Sequence, residues 1–303
     1  MKTRCLLQYQ PLTNKDLPLL APYVAAKKSR LADHTLLYWH MWGEYLGMEY
    51  AIDDGLLFLR RNSRWGMSYY LPCSATEVLS TVDAARRLCE AVGNGELRIC
   101  ALEKEEAEAL EGEFSVQEQG TSRTWADYLY LAEDLATLSG RRYHKKRNLV
   151  HQFEKLYPDC RYEPLDESNH GAAMEFLRRR LESGEIDEGE AVECRRALAA
   201  LADFARLPLS GGALVIGSEM VALTVGERVG DVLFVHIEKG DRAFKGAYQY
   251  INYCYARDMY ERGEIRYINR EDDAGDEGLR KAKLSYFPVE LLHKYHVVLK
   301  QGC

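Results

Sequence analysis

The sequence lacks the features of chains that enter or cross a membrane. Its first residues, MKTRCLLQYQPLTNKDLPLL, include no continuous apolar core and no small-residue cleavage site of the kind that signal peptides carry. No apolar run in the chain approaches the ~18 residues that a membrane-spanning helix needs. We therefore expect a soluble cytoplasmic protein with no transmembrane segment.

Eight cysteines are present, but they are scattered, with no C-x-x-C pair and no Cys/His cluster. This spacing argues against structural zinc and against a disulfide framework, so we expect reduced thiols and no metal site. The sequence also lacks Gly-x-Ser-x-Gly, Ser-x-x-Lys, Walker and zinc-protease patterns. Covalent-serine enzymes, nucleoside triphosphatases and metallohydrolases therefore have no support.

The chain is long enough for two domains. Its 303 residues are 47% apolar and 29% charged, which is an ordinary globular composition. Hydrophobic periodicity gives both halves the same element order: a strand, two helices, three antiparallel strands, a helix, a strand, a helix and terminal strands. We expect an α+β protein with an N-terminal domain at 1–135 and a C-terminal domain at 136–303.

A βαβ unit in the second half marks a candidate site. The strand DVLFVHIE, a helix and the strand EIRYIN follow one another, so the two strands should be parallel with a crevice at their carboxyl ends. His236 and Glu238 share one face at the end of the first strand, and Asn269 and Glu271 lie at the end of the second. A carboxylate there could act as a general base in acyl transfer, or it could simply face water.

A basic segment interrupts this acidic chain. Between Arg141 and Lys155 there are six basic residues and one acidic residue, a local charge of +5, whereas the whole chain carries -7. Helical spacing predicts a linking helix at 140–157 with one docked face and one exposed face. The docked stripe is Tyr143, Leu149, Val150, Phe153 and Leu156, and the exposed path is Arg141, Lys145, Asn148, Gln152 and Lys155.

This basic helix has two interpretations. It is either a solvated surface or a phosphate contact for RNA or for the pyrophosphate of a nucleotide-like donor. The lack of interleaved acidic residues favours phosphate contact, because solvated helix faces normally mix both signs. The residues expected to share this role are Lys145, Lys146, Arg147 and Asn148.

Two stretches resemble the signature regions of a known family. LATLSGRRYHKKRNLVHQFEKLYP (135–158) and INREDDAGDEGLRKAKLSYFP (268–288) resemble those of the phosphatidylglycerol lysyltransferase C-terminal domain family. The element order resembles the GNAT acyltransferase fold written twice. The resemblance implies two tandem GNAT-like domains, each a mixed, mainly antiparallel sheet flanked by helices. In the related membrane enzyme, this domain moves an aminoacyl group from aminoacyl-tRNA to a lipid headgroup.

The same resemblance helps to distinguish between possible acyl donors. GNAT enzymes that use acyl-CoA hold its pyrophosphate on a Q/R-x-x-G-x-G/A loop after the first crevice strand. Here Gly246 and Ala247 follow Arg242 one residue off that spacing, which argues against coenzyme A. Arg242, Lys245 and Gly246 still offer charge and close backbone approach to a phosphate. The matching stretch of the first half, YLPCSATEV, has no glycine, so we expect the first domain to be non-catalytic.

The second signature region adds three residues to the expected site. Arg280 and Lys283 are three apart on a helix and are expected to share one exposed side, where they can contact phosphate together with Asn269. Tyr286 occupies the position at which many GNAT relatives carry a tyrosine that protonates the leaving group. A core aromatic is the alternative interpretation of Tyr286.

The resemblance thus implies an acyl or aminoacyl transferase. An amine or hydroxyl acceptor, on a small molecule or a lipid headgroup, would attack the activated acyl group directly, with Glu238 or Glu271 as base and Tyr286 as acid. Aminoacyl-tRNA is favoured over acyl-CoA as donor, and no resident cofactor is expected. The alternative is a non-catalytic GNAT-like module that binds tRNA or a nucleotide-like ligand.

Overall fold

The computed structural model describes residues 7–93, 96–184 and 186–300, over which the chain forms 15 strands and ten α-helices. The elements up to residue 137 are β1 (Gln10–Pro11), α1 (Leu17–Lys27), α2 (Leu36–Trp42), β2 (Glu49–Asp53), β3 (Leu56–Ser63), β4 (Gly66–Tyr69), β5 (Cys73–Ser74), α3 (Thr81–Val92), β6 (Leu97–Leu102), α4 (Lys104–Glu113), β7 (Val116–Thr121), β8 (Asp127–Leu131) and α5 (Ala132–Thr137). The remaining elements are α6 (His144–Leu156), β9 (Cys160–Pro164), α7 (His170–Glu182), α8 (Glu188–Ala202), β10 (Leu209–Ile216), β11 (Glu219–Val229), β12 (Val232–Gly240), α9 (Ala247–Glu261), β13 (Tyr267–Asn269), α10 (Glu277–Leu284), β14 (Glu290–Leu292) and β15 (Tyr295–Leu299).

The chain divides into two compact units. The first contains the described residues up to Asp127, the short segment Asp272–Gly275 and the described residues from Leu292 onward. The second contains Tyr128–Glu271 and Asp276–Leu291. The boundary predicted at residue 135 lies inside the second unit, because β8 and α5 belong there.

The first unit is built on a mixed sheet with the strand order β1-β2-β3-β4-β6-β15-β7, and β5 pairs with β3 outside this path. β4 and β6 are parallel, and the other strand pairs described in this sheet are antiparallel. The last described strand of the chain, β15, therefore lies inside this sheet. Its residues Val297 and Leu299 are fully buried in the core of the unit.

The second unit is built on a mixed sheet with the strand order β14-β8-β13-β12-β11-β10-β9. β12 and β13 are parallel, as the βαβ pattern predicted, while β13 pairs antiparallel with β8. The predicted α+β class, with two mainly antiparallel sheets flanked by helices, is confirmed. β8 belongs to this sheet, whereas β15 belongs to the sheet of the first unit. For this reason the observed units differ from the two predicted halves of the sequence.

The helix α6 packs on the core of the second unit. Tyr143, Val150 and Phe153 are buried there, in agreement with the predicted stripe, and Leu149 is half-buried. Leu156 is 56% exposed, so the prediction was wrong for this residue, because it lies in the last turn of the helix. The predicted outward residues are all exposed: Arg141, Lys145, Asn148, Gln152 and Lys155.

Most of the cysteines in the described part of the chain are free thiols, as predicted. Cys73, Cys100, Cys160 and Cys254 are among the free thiols, but Cys89 is disulfide-bonded, which corrects the expectation of reduced thiols throughout. Over the described residues, no group of three or more His, Cys, Asp or Glu side chains could hold a metal ion. Within the same residues, no helix is both long and apolar enough to cross a membrane.

A buried charge cluster organises the first unit. Lys294 Nζ lies 2.7 Å from Asp33 Oδ2 and 2.9 Å from Asp127 Oδ1, with Asp272 Oδ2 at 3.5 Å. Burial alone would raise the pKa of Asp33, but Lys294 and Arg61 more than offset it and hold this pKa at about 2. Burial raises the pKa of Asp127 despite Lys294. The cluster therefore depends on one ammonium serving several carboxylates.

Replacing Lys294 by Met should lower the free energy of unfolding by about 3–5 kcal/mol, because it leaves buried carboxylates without their counter-ion. Urea denaturation measures the effect. The control is Lys281→Met, whose side chain is 81% exposed and whose change should stay within about 0.5 kcal/mol. Equal stability of the two variants would contradict this role for Lys294.

Candidate active site

The parallel ladder between β12 and β13 is short. It ends at Phe234 and Asn269, whereas β12 continues to Gly240. The chain after β13 bonds to β8 instead: Arg270 N donates to Tyr128 O at 3.0 Å, and Tyr128 N donates to Glu271 O at 3.1 Å. We call the region between the end of β12 and residues 270–271 the β12/β13 mouth. It belongs entirely to the second unit.

A β-bulge directs His236 toward this mouth. Gly226 on β11 faces Val235 and Val225 faces Ile237, so His236 is the extra residue of β12. A Cβ at Gly226 would lie 2.1 Å from Phe234 O, which explains why a glycine stands there. The His236 ring stacks on Phe234, and its Nδ1 lies 2.7 Å from Glu271 Oε1.

Arg270 is the central charge of the mouth. Its Nη2 donates to Glu238 Oε1 at 2.8 Å, and the two side chains are only 12% and 14% exposed. Burial by itself lowers the pKa of Arg270, but Glu238, Tyr130 and Tyr286 outweigh burial, so this pKa lies above its usual value. The guanidinium is therefore held permanently charged inside the protein.

Asn252 completes the pairing of Glu238 from α9. Its Nδ2 donates to Glu238 Oε2 at 3.1 Å, so both carboxylate oxygens are engaged. Asn252 is 4% exposed, and its Oδ1 has no hydrogen-bond partner in the described part of the chain. Arg270 Nη1 is likewise buried without a partner among those residues. Native structures rarely leave such groups unsatisfied, so this unused donor and unused acceptor beside one carboxylate mark a place for a further polar group, from water or from a ligand.

Glu271 is held by its backbone as well as by His236. Its φ is +54°, a left-handed conformation that costs about 1 kcal/mol or more for a residue with a Cβ. Asn269, which is fully buried, stabilises the turn, because its Oδ1 accepts a hydrogen bond of 2.7 Å from Glu271 N. Asn269 therefore positions the turn from within the protein.

Lys283 is buried, contrary to the expectation of an exposed phosphate contact. Its Nζ donates to Arg270 O at 2.6 Å and to Glu271 O at 3.3 Å, which fixes the segment after β13. Its neighbour on the helix, Arg280, is half-buried, so the two cations do not form one exposed side. Helical spacing alone did not reveal which face of α10 packs inward.

Tyr286 lies between two cations. It is 6% exposed, and its ring centroid is 3.8 Å from Lys146 Nζ and 5.1 Å from Arg270 Cζ. Its carbonyl accepts a hydrogen bond of 3.0 Å from the Tyr143 hydroxyl, which fixes the residue. Its own hydroxyl makes no hydrogen bond within the described residues. Burial raises the pKa of Tyr286 to about 12, so the hydroxyl keeps its proton at neutral pH.

Lys146 is the residue of the basic helix that points toward the mouth. It is half-buried, and no carboxylate of the described residues lies within ion-pair distance of its Nζ. Burial, together with repulsion by Arg270, lowers the pKa of Lys146 to about 8. The Tyr286 ring face acts in the opposite direction, because a cation over an aromatic ring is stabilised by about 0.5–2 kcal/mol.

The other residues of the basic run lie elsewhere. Arg147 Nη1 donates to the carbonyls of Leu138 and Gly140, the latter at 2.7 Å, and so fixes the turn before α6. Lys145 and Asn148 are exposed on the outward face. The four residues expected to act together thus divide into Arg147, which anchors the backbone, Lys146, which lies at the mouth, and the two surface residues Lys145 and Asn148.

The loop before α9 lies at the protein surface. Arg242 is 68% exposed and 4.0 Å from Glu190, and Lys245 is also exposed. Gly246 begins the helix with φ +96°, a conformation that favours glycine. The structure therefore leaves these three residues near the surface at the start of α9, where their expected contact with a phosphate stays a prediction.

The matching loop of the first unit borders a cavity of about 170 Å³. Lys27 and Glu106 line it but pair with each other. No arginine, tyrosine or histidine is among its lining residues, so this cavity lacks the polar groups found at the β12/β13 mouth.

Sequence reasoning found part of the mouth and missed part. Glu238, Glu271, Asn269, Tyr286 and Lys146 come together there. Asn252 was missed. Its signal was a polar residue on the buried stripe of α9, at helical spacing from Ala256 and Met259.

The model of the family described as phosphatidylglycerol lysyltransferase, C-terminal, matches residues 25–298. An uncharacterised protein of Mycoplasmoides gallisepticum is 26% identical over 174 residues, which is 56% of this chain. The chain spans about half the length of this curated relative, 55%.

Three solved structures are similar. A conserved protein of unknown function from Bacteroides thetaiotaomicron has a TM-score of 0.83 and 30% identity, and the match covers 97% of this chain and 100% of that one. The C-terminal domain of a protein assigned as a lysylphosphatidylglycerol synthetase, from Agrobacterium fabrum, has a TM-score of 0.66 at 11% identity, over 94% and 92% of the chains. L-PGS from Bacillus licheniformis has a TM-score of 0.57 at 12% identity, over 85% of each chain.

These likenesses extend over both units. The two mixed sheets flanked by helices are the tandem GNAT-like architecture that the element order predicted, and that fold class is confirmed.

Replacing Glu238 by Gln should lower the free energy of unfolding by about 3 kcal/mol, because Arg270 would stay buried without a counter-charge. Chemical denaturation measures this loss. Glu261→Gln is the matched control, since Glu261 pairs with Arg257 at 2.7 Å on an exposed surface and should contribute at most about 1 kcal/mol. If both variants were equally stable, Arg270 would not depend on Glu238.

Proposed function

Because the chain belongs to the phosphatidylglycerol lysyltransferase C-terminal family, we propose that its second unit transfers an aminoacyl group from an activated ester to an amine or hydroxyl acceptor. Aminoacyl-tRNA is the favoured donor, and the acceptor is a small molecule or a lipid headgroup. The observation that carries this proposal is the buried Arg270, whose Nη1 has no partner among the described residues and whose Cζ lies 5.1 Å from the centre of the Tyr286 ring.

Arg270 suits the charge that develops in acyl transfer. When the acceptor attacks the ester carbonyl, its oxygen becomes negative, and a fixed donor in a dry environment stabilises that charge strongly. The ion pair with Glu238 and the carbonyl contacts of Lys283 hold Arg270 in place before substrate binds. Little reorganisation is then needed during the reaction.

Asn252 and Tyr286 supply the complementary groups. The open Oδ1 of Asn252 can accept a hydrogen bond from the amino group of an aminoacyl substrate. The Tyr286 hydroxyl, protonated at neutral pH, can donate its proton to the leaving oxygen. Glu238 is less suited to be the base, because both of its oxygens are already engaged.

The outward face of α6 suits the nucleic acid part of the donor. Arg141, Lys145 and Lys155 are exposed there and have no acidic partner among the described residues. Lys146 does not lie on this face and points into the mouth. One helix would thus contact donor phosphates with one side and the acyl group with the other.

We expect the protein to consume aminoacyl-tRNA charged with labelled lysine or alanine faster than spontaneous hydrolysis, in the presence of phosphatidylglycerol vesicles or a mixture of small amines. Tyr286→Phe should lower the transfer rate by about 100-fold, because it removes only the proposed proton donor. Thin-layer chromatography of the labelled product measures both results and separates lipid from small-molecule acceptors.

Tyr260→Phe is the control, since Tyr260 is a half-buried tyrosine packed on the same core without a place in the mouth. Saturable tRNA binding with no product from any donor would contradict the transferase and favour the binding module.

Replacing Arg141, Lys145 and Lys155 together by Gln should flatten the slope of log K against log salt for tRNA binding by about 2–3, because each lost phosphate contact removes about 0.7–0.9. Melting temperature should not change, since the docked residues Tyr143, Val150 and Phe153 are untouched. Arg195, Arg206 and Arg257 replaced by Gln have the same charge change on other surfaces and should leave the slope as it is. Equal slopes in the two triple variants would make the face an ordinary solvated surface.

A further inference from the structure

Acyl transfer needs a group that takes the proton of the acceptor, and the carboxylates of the mouth are constrained. Glu238 binds Arg270 and Asn252 through its two oxygens. Glu271 is fixed by a left-handed backbone and by His236 at 2.7 Å. Lys146 differs from these groups, because it has no hydrogen bond or ion pair in the described part of the chain.

The surroundings of Lys146 are unusual for a lysine. The groups that face it are the Tyr286 ring, at 3.8 Å from Nζ, and the cation Arg270. Arg270 Cζ also lies 6.0 Å from the centre of the Tyr130 ring, and its Nη2 lies 2.8 Å from Glu238 Oε1. Burial and the neighbouring Arg270 favour the neutral amine of Lys146, and no carboxylate of the described residues offsets them; the Tyr286 ring alone favours the ammonium.

On the basis of the proposed function, we propose that Lys146 is the general base of the second unit: its neutral amine takes the proton from the attacking amine or hydroxyl of the acceptor. The basic signature helix then has a catalytic residue on its inner side. Glu271, which is paired with His236, then has a positioning role.

The steps balance without a cofactor. The acceptor nitrogen or oxygen forms a bond to the acyl carbon, and its proton moves to Lys146 Nζ. The bond between the acyl carbon and the ester oxygen breaks, and the leaving oxygen takes a proton from Tyr286. The ammonium of Lys146 then returns one proton to Tyr286, directly or through solvent, so both residues regain their starting states.

A base must be neutral to act, so its effect should rise with pH through its pKa. With a pKa of about 8, a substantial share of Lys146 is neutral near pH 7.5, where a lysine with the usual pKa of about 10.4 would almost entirely be charged. The match between base pKa and working pH is the condition under which general bases are most effective. The position of Lys146 at the mouth and its share of neutral amine near pH 7.5 thus both suit a general base.

The test combines labelling with kinetics. Trace acetic anhydride, followed by peptide mass spectrometry, should label Lys146 with an apparent pKa of about 8, with the exposed Lys145 as internal reference. Lys146→Arg keeps the positive charge but cannot act as a base. It should lower kcat at least about 100-fold and remove the rise of rate with pH near 8. Lys281→Arg, at a side chain that is 81% exposed and has no place in the mouth or on the tRNA-binding face, should stay within about twofold.

Two results would overturn the inference. One is a labelling pKa above about 10, which would show an ordinary ammonium whatever the protein catalyses. The other is a Lys146→Arg enzyme that keeps its rate and pH profile while Glu271→Gln loses them, which would make Glu271 the base. Normal labelling at about 8 with no turnover of any donor would instead contradict the proposed function, so the two failures are distinguishable.

Discussion

The site depends on the burial of one guanidinium. A charge out of water must be paired, and Arg270 obtains its pair from Glu238 and its position from the carbonyl contacts of Lys283. Glu238 in turn orders Asn252, and the aromatic ring of Tyr286 lies close to the guanidinium. These are the groups that surround the β12/β13 mouth. The same ion pair that stabilises the second unit therefore sets the polarity of its site.

The fold supplies the geometry for this pair. A three-residue β13 stops the parallel ladder at Asn269, and the bulge at His236 alters the direction of β12 just beyond it. β8 lies on the other side of β13 and receives the backbone bonds of the segment after Asn269. β8 and β12, which come from distant parts of the chain, thus hold Arg270 and Glu271 at the carboxyl end of β13.

Local patterns in the sequence predicted those features that depend on residues close together in the chain. The βαβ unit, the outward path of α6 and the placing of Glu238 and Glu271 at strand ends all follow from periodicity. The partners of β8 and β15 did not, because strands of five residues pair over long sequence distances without a local signal. Lys283 was expected on the surface because helical spacing shows which residues share a face and leaves open which face is buried. The role of Arg147 was missed for a related reason, since backbone carbonyls at a turn have no sequence signature.

The claim that Arg270, Lys146, Tyr286 and Asn252 hold an activated aminoacyl group is tested most directly by a crystal structure with a stable donor analogue. A suitable compound is an adenosine whose 3′ position carries an amide-linked lysine or alanine, which cannot be hydrolysed as the ester is. The account predicts the analogue carbonyl within hydrogen-bond distance of Arg270 Nη1 and its amino group within that distance of Asn252 Oδ1. An analogue bound in the cavity of the first unit, with the β12/β13 mouth unchanged, would contradict the account.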